Sequence, residues 1–174
     1  DKILVSRGFT TAPTLTELAS MNTKGVTAEP MGGKIGNQYV TLRATSNLPQ
    51  TTASPIFTVT GKVRIIAIIG ETTTVIQTQA NNTKLISNPT VGSDVDLCAV
   101  ADITGDAVGS LFNITGTLAT ALVETPSAAF VAQAAPVVVT AGTIDLSCAA
   151  SSTGAIKWLV RWEPVDPGAM VIAA

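Results

Sequence analysis

The sequence contains no histidine, and it has little charge and few aromatic residues. Charged residues make up 13% of the 174 residues, and aromatic residues make up 4%. Soluble domains usually carry about 25% charged residues. Without histidine, the Ser-His-Asp and Cys-His arrangements of nucleophilic catalysis are excluded. The composition therefore favours a protein that works by binding other chains, not an enzyme, and it predicts no cofactor.

The charges that are present show no concentration of one sign. Ten lysines and arginines stand against 12 acidic residues, and the basic ones are scattered singly. Nucleic-acid binding needs a concentrated cationic face, so no nucleic-acid partner is expected. Apolar runs such as Ile65 to Ile69 are far shorter than a membrane span of about 18 residues. No membrane partner is expected either.

Hydrophobic residues nevertheless account for 46% of the chain. Apolar surface left bare in water tends to associate, so this balance favours an oligomer or a larger assembly. The alternative is a monomer whose surface is rich in Thr, Ser, Asn and Gln.

Two cysteines, Cys98 and Cys148, are too few for a disulfide scaffold in a chain of this length. They could pair if their strands are neighbours, or they could remain free and buried as small hydrophobic side chains. With no histidine and two separated cysteines, a zinc site of the usual kind is excluded.

Strand signals separated by turn residues dominate the chain after Pro55. The clearest is Ile156–Glu163, in which Ile156, Trp158, Val160 and Trp162 alternate with Lys157, Leu159, Arg161 and Glu163. About eight to ten such short segments are typical of a sandwich or jelly roll. The predicted fold is all-β, a jelly-roll-like β-sandwich preceded by an extended N-terminal arm.

The predicted division places the arm at residues 1–54 and the sandwich at residues 55–174. The arm is weakly patterned, with one helical turn predicted at Thr14–Ala19 and one strand at Gln38–Ala44. The segment Val63–Ile69 is apolar on both faces beyond Arg64, so both faces should be covered. The residues predicted to form an interface come from the arm and from this strand: Leu15, Leu18, Tyr39, Leu42, Ile66 and Ile68.

Acidic residues provide the only candidates for chemistry. Paired carboxylates could serve a glycosidase, and the candidates are Asp94, Asp96, Asp102, Asp106, Asp145, Glu163 and Asp166. Most fall in turns or at strand ends, where aspartate bonds its own backbone. The four between 94 and 106 could form a calcium loop, but their spacing does not match an EF-hand. Gly32–Gly36 lacks the ending of a phosphate-binding loop.

Trp158 and Trp162 fall on one face of one predicted strand. They could form an aromatic platform for a sugar or an anchor in a protein interface. Packing in the core is the favoured alternative, because Ile156 and Val160 lie on the same face.

Several segments resemble a family of small bacteriophage structural proteins, the head decoration or cement proteins. The resemblance consists of turn and strand patterns after residue 50, and residues 1–50 add nothing to it. The segments that carry it are Phe57–Gly61 through Ile69–Glu71, Ala80–Leu85, Asp102–Gly109, Thr140–Asp145 and Ile156–Ala174.

This resemblance implies a protein on the outer surface of the virion capsid. Proteins of this family commonly form trimers on the capsid lattice, and an arm often reaches neighbouring capsid subunits. The implied partners are the major capsid protein and further copies of this chain, as a homotrimer. The alternative is the tip of a phage tail fibre, which would contact a host glycan or protein through exposed Trp158, Trp162 or Tyr39.

Overall fold

The structure, a computed structural model, describes residues 34–35, 38–126 and 129–174. In these residues it contains strands, turns and irregular segments, and it has no helix that could cross a membrane. Two antiparallel sheets form a jelly-roll-like β-sandwich, which confirms the predicted all-β class.

The first sheet has seven strands in the order β1-β2-β12-β4-β8-β9, and β10 pairs with residues 63–65 of β4 along the same edge that β8 uses. β12 lies between β2 and β4 and pairs with both along nearly its whole length. The strands are β1 Lys34–Ile35, β2 Gln38–Asn47, β4 Val63–Thr74, β8 Leu111–Asn113, β9 Val123–Thr125, β10 Val137–Val139 and β12 Ala155–Pro164.

The second sheet has six strands in the order β13-β3-β11-β5-β6, and β7 also pairs with β5. Its strands are β3 Ala53–Thr60, β5 Asn82–Pro89, β6 Val95–Asp96, β7 Ala101–Asp102, β11 Gly142–Cys148 and β13 Met170–Ala173. The turn Gly61–Lys62 therefore carries the chain from one sheet into the other, because β3 and β4 belong to different sheets.

The inner face of β12 forms the centre of the core. Ile156, Trp158, Val160 and Trp162 are each at most 2% exposed, so the predicted alternation is confirmed. The Trp158 ring packs against Phe112 with centroids 6.4 Å apart. Both tryptophans therefore belong to the core, as favoured from the sequence, and the alternative of an aromatic platform on the surface is wrong.

A β-bulge in β4 explains its continuous apolar run. Ala67 is opposite Arg161 and Ile65 is opposite Trp162, so Ile66 is an extra residue without a direct partner. The residues of β4 that face the core are therefore 63 and 65 before the bulge and 68, 70 and 72 after it. Ile65 and Ile68 are both buried in the core, while Ile66, Ala67 and Ile69 are half-buried. The expectation that both faces are covered holds in part, because one face supplies the core and the other is only half-covered.

Thr41 joins the two sheets at one side of the sandwich. The Trp162 Nε1–H donates to Thr41 Oγ1 at 3.0 Å, and the Thr41 hydroxyl donates to the Val171 carbonyl of β13 at 2.8 Å. Thr41 is 1% exposed, so these bonds lie out of water.

Replacing Thr41 with valine is expected to lower the free energy of unfolding by about 1–3 kcal/mol, because the Trp162 N–H stays buried without an acceptor. Valine keeps the shape, so the loss reports the hydrogen bonds. Chemical denaturation monitored by tryptophan fluorescence measures it. Thr45→Val, at an exposed position of the same strand, is the matched control. Equal stability of the two variants would contradict the proposed role of Thr41.

The boundary predicted between residues 54 and 55 is wrong. Gln38–Asn47 forms β2, which pairs with β12 from Tyr39 to Asn47, and Leu48 is buried in the core. The sandwich therefore includes residues that the sequence analysis assigned to an arm. Their place was missed because the strand that they pair with lies more than a hundred positions away in the chain. The predicted helical turn at Thr14–Ala19 lies outside the described residues.

Two largely apolar segments form little or no strand. Of Val95–Val100, only Val95–Asp96 pairs with β5, because Leu97 and Cys98 turn into the core. Residues 130–134 form no strand. They are held instead by individual hydrogen bonds, including one from the Asn113 side-chain amide to the Val131 carbonyl at 2.8 Å.

The two cysteines are free and buried, so one of the two predicted possibilities is confirmed. The Leu85 N–H lies 3.4 Å from Cys98 Sγ, and the Thr83 hydroxyl lies 3.7 Å from Cys148 Sγ. Burial raises the pKa of both thiols, so both stay protonated and unreactive at neutral pH.

Candidate interaction surface

The outer face of the first sheet carries a row of three apolar side chains. Leu159 of β12 is directly opposite Leu42 of β2 on one side and Ile69 of β4 on the other. Leu42 is 48% exposed, and Ile69 and Leu159 are half-buried. We call Leu42, Ile69 and Leu159 the outer patch. Since directly opposite residues share a face of the sheet, the three form one continuous surface.

Cross-strand charge pairs lie on both sides of the outer patch. Lys157 Nζ is 2.8 Å from Glu71 Oε2, and Arg64 Nη1 is 3.5 Å from Glu163 Oε2. The Gln38 side-chain amide donates to Glu163 Oε1 at 3.3 Å. Each of these charges already has a partner of opposite sign on the same face. A partner chain could therefore cover these four charges without leaving them unpaired. Arg43 and Arg161 also lie at this surface, and their recorded partners are the Ser46 hydroxyl and the Gln38 side-chain oxygen, not carboxylates.

A shallow depression of about 580 Å³ lies over the outer patch. The three apolar side chains form its floor, and the Lys157–Glu71 pair forms part of its border. Its shape and lining suit an apolar side chain or a short strand of a partner. The lining residues are Leu42, Arg43, Ala44, Thr45, Ile69, Glu71, Lys157, Trp158 and Leu159.

The predicted interface residues fall in different places. Leu42 belongs to the outer patch, and Ile66 is the half-buried extra residue of the β4 bulge. Tyr39 stacks on Trp162 with ring centroids 4.7 Å apart. Ile68 is fully buried in the core, so its assignment to an interface is wrong. Leu15 and Leu18 lie outside the described residues.

The sequence prediction missed Leu159 and Ile69. Leu159 is the apolar exception on the polar face of Ile156–Glu163, and that exception was visible in the sequence. Ile69 could not be assigned to this face from the sequence, since its orientation depends on the bulge at Ile66.

The candidate acidic residues have mostly structural roles. Asp96 pairs with Lys84 at 2.7 Å, and Asp166 accepts from the Lys62 N–H at 3.0 Å. Asp102 Oδ1 accepts from the Asn81 and Thr104 N–H groups at 2.8 and 3.2 Å. No group of three acidic or cysteine side chains in the described part of the chain could hold a metal ion, so the predicted calcium loop has no support.

One carboxyl pair was not predicted. Burial, a hydrogen bond to Glu124 of β9 and nearby negative charge raise the pKa of Asp106, in the loop between β7 and β8, to about 7. A glycosidase needs a gap of about 5 Å or more between its two carboxyl groups, and hydrogen-bonded carboxyl groups leave no such gap. Lys34–Ile35 of the predicted glycine-rich loop form β1, and the rest of Gly32–Gly36 lies outside the described residues.

This surface is therefore suited to binding another chain. The outer patch offers apolar area beside two ion pairs, and most of the candidate acids take part in turns, ion pairs or side-chain hydrogen bonds. Comparison of the chain with protein-family models, with curated proteins and with solved structures finds no match.

Proposed function

We propose that this protein is a bacteriophage head decoration protein that binds the assembled capsid as a homotrimer and stabilises it. The observation that carries the proposal is the outer patch, an apolar row across a sheet face that lies beside two cross-strand ion pairs. The family resemblance of the strand and turn segments supports it, and so does the scarcity of groups able to run chemistry.

The outer patch suits binding to a flat, repeating surface. Burying apolar area contributes about 25 cal/mol per Å², so one small patch alone gives modest affinity. Binding in several places at once on a lattice raises the overall strength without new contacts, because each further contact forms at high effective concentration. A protein that binds only the assembled shell stabilises that shell by mass action.

The tail-fibre alternative has no specific observation in its favour. It predicted that Trp158, Trp162 or Tyr39 is exposed in a pocket. Trp158 and Trp162 are each 2% exposed, and Tyr39 is half-buried and stacks on Trp162. The position of the protein on isolated particles, on the head or on the tail, distinguishes the two functions.

The direct test adds the purified protein to phage heads that lack it. We expect binding that saturates at a copy number fixed by the lattice, and heads that withstand heating or low salt better once decorated. Analytical ultracentrifugation should give a trimer. A monomer that leaves such heads undecorated would overturn the proposal, and labelling of the tail would favour the alternative.

Leu159→Glu is expected to weaken binding to heads at least about tenfold, because a charge would be buried against apolar surface when the partner covers the outer patch. The variant should fold, since Leu159 points away from the core. Val91→Glu, at a position 88% exposed, makes the same kind of change away from the patch and is the control. Sedimentation of decorated heads measures the bound fraction, and equal binding of the two variants would remove the outer patch from the interface.

A further inference from the structure

The outer face of β12 has an apolar side chain between two cations. Lys157, Leu159 and Arg161 are two residues apart on this strand, so their side chains lie on the same face of the sheet. Leu159 is the middle residue of the outer patch, because it pairs with both Leu42 and Ile69. From residue 157 to residue 161 the strand extends about 13 Å, at about 3.3 Å per residue. The centre of the outer patch is therefore bordered by a positive charge in each direction along β12.

Arg161 has no acid among the residues directly opposite it. It is opposite Val40 of β2 on one side and Ala67 of β4 on the other. Its recorded hydrogen bond runs from Nη2 to the Gln38 side-chain oxygen, which is neutral. The cross-strand neighbours of Arg161 therefore leave its charge free to attract a carboxylate from another molecule.

The acid closest to Arg161 in sequence already has partners. Glu163 is the next residue on this face of β12, and its Oε2 atom is 3.5 Å from Arg64 Nη1. Its Oε1 atom accepts from the Gln38 side-chain amide at 3.3 Å. One carboxylate therefore serves two cations at this end of the outer patch, and one positive charge is in excess.

Arg43 gives the other end of the outer patch the same excess. It lines the depression together with Glu71 and Lys157, which form an ion pair with each other. Its Nη1 atom donates to the Ser46 hydroxyl, and its Nε atom is buried without an acceptor. A guanidinium group has five N–H donors, so several remain for a partner. Burial lowers the pKa of Arg43, and a carboxylate brought beside it would offset this cost.

This positive excess belongs to the surface and not to the whole chain. Four of the six lysines and arginines whose side chains the structure describes form ion pairs, and the other two are Arg43 and Arg161. The net charge of the chain is -2. A partner that covered the outer patch with apolar atoms alone would leave these two guanidinium groups without a counter-charge. The surface therefore favours a partner that brings carboxylates.

We propose that the outer patch binds an extended segment of the capsid subunit in which an apolar residue has an acidic residue two positions before it and another two positions after it. Residues two apart in an extended segment lie on one face. The apolar side chain covers the outer patch, and the two carboxylates pair with Arg161 at one end and with Lys157 and Arg43 at the other. The two acids are about 13 Å apart, which matches the span from Lys157 to Arg161. This inference rests on the proposed function, because it takes the capsid as the partner.

A short peptide tests this chemistry in the isolated protein. The probe is the capped heptapeptide Thr-Glu-Thr-Leu-Thr-Glu-Thr, and in the control peptide both glutamates are lysines. Nuclear magnetic resonance follows the methyl signals of Leu42, Ile69 and Leu159 during titration at low salt. We expect the acidic peptide to shift these signals at millimolar concentration and the basic peptide to bind at least about tenfold more weakly, because like charges would meet at both ends of the outer patch.

Arg161→Gln should weaken binding of the acidic peptide at least about threefold and reduce its dependence on salt, since one attracting charge is lost. Lys84→Gln removes the same charge from the second sheet and should change neither quantity. Arg161→Lys keeps the charge and should keep most of the binding, so it separates the loss of charge from a local structural change at this position.

Equal binding of the two peptides would overturn the proposal, and so would the absence of any shift at the three methyl-bearing residues. Dissociation of an oligomer in Arg161→Glu, measured by sedimentation, would also overturn it, because a second copy of the chain would then cover the outer patch. The peptide measurement uses no phage heads. Undecorated heads would therefore contradict the proposed function while the peptides still decide the chemistry of the outer patch. Heads that bind the wild type and Arg161→Glu equally would contradict the acidic partner alone.

Discussion

Replacing Trp158 with alanine is expected to lower the free energy of unfolding by about 3–5 kcal/mol, the usual loss when a large aromatic side chain is removed from a core. Trp158 is 2% exposed and lies at the centre of β12, between Phe112 and Gly70. Alanine leaves a cavity that the surrounding strands cannot close, because β12 is paired on both edges. Urea denaturation followed by circular dichroism measures the change.

The neighbouring residue provides the control. Leu159→Ala, one position along the same strand, should cost well under half as much, since Leu159 lies on the half-buried outer face. Equal losses at the two positions would mean that the outer face of the sheet is covered in the isolated protein. Such a result would contradict both the described core and the availability of the outer patch.

Gly70 gives a second check on the same contact. It is directly opposite Trp158, and a Cβ atom at this position would lie 2.8 Å from Trp158 Cη2 and Cζ3. Gly70→Ala should therefore cost about 1–3 kcal/mol in the wild type through overpacking. In a Trp158→Leu background the cost should shrink, because the ring that the methyl group would meet is gone. A double-mutant cycle measures this coupling.

Gly116→Ala is expected to lower the free energy of unfolding by about 2–5 kcal/mol, from left-handed backbone strain together with a steric overlap. Gly116 has φ of +87°, and its Cβ would lie 1.9 Å from the Ala135 carbonyl oxygen. The Ala134 and Ala135 N–H groups both donate to the Thr115 carbonyl, at 3.0 and 3.2 Å, so this segment cannot move aside without losing those bonds. Thermal and urea denaturation measure the loss.

Gly168→Ala separates the two causes. Gly168 has φ of +77° and nothing within 4 Å of a Cβ position, so its substitution carries the backbone strain alone, about 1–2 kcal/mol. The difference between the two variants reports the contact of Gly116 with residues 134–135. If Gly116→Ala cost no more than Gly168→Ala, the close packing of that segment would be contradicted.

The parts of the fold that the sequence predicted are those in which local pattern decides. The two faces of β12 follow from strict alternation, and the burial of Trp158 and Trp162 follows from the apolar residues beside them. The placement of β2 did not follow, because an isolated alternating segment does not reveal which strand it pairs with. The set of β4 residues that face the core could not be predicted either, because one extra residue at the bulge reverses the face on which every later side chain of the strand lies.

The candidate sites were hard to predict for the same reason, since they depend on tertiary structure. The outer patch needs the register between β2, β12 and β4, and only Leu42 was predicted as part of an interface. The lack of an acid opposite Arg161 could not be predicted either, because its neighbours Val40 and Ala67 follow only from that register. Contacts of this kind depend on tertiary structure that single-sequence patterns do not contain.

The central position of β12 also determines when the protein can fold. Its partners β2 and β4 lie about a hundred or more residues earlier, and β3 likewise pairs with β11 and β13. Neither sheet can therefore close until residues 142–173 have left the ribosome. Stable structure should form only once that segment is available, and slowly, on the scale of milliseconds to seconds typical of such topologies. Until then the early strands expose unpaired edges, which makes nascent chains the stage most prone to aggregation.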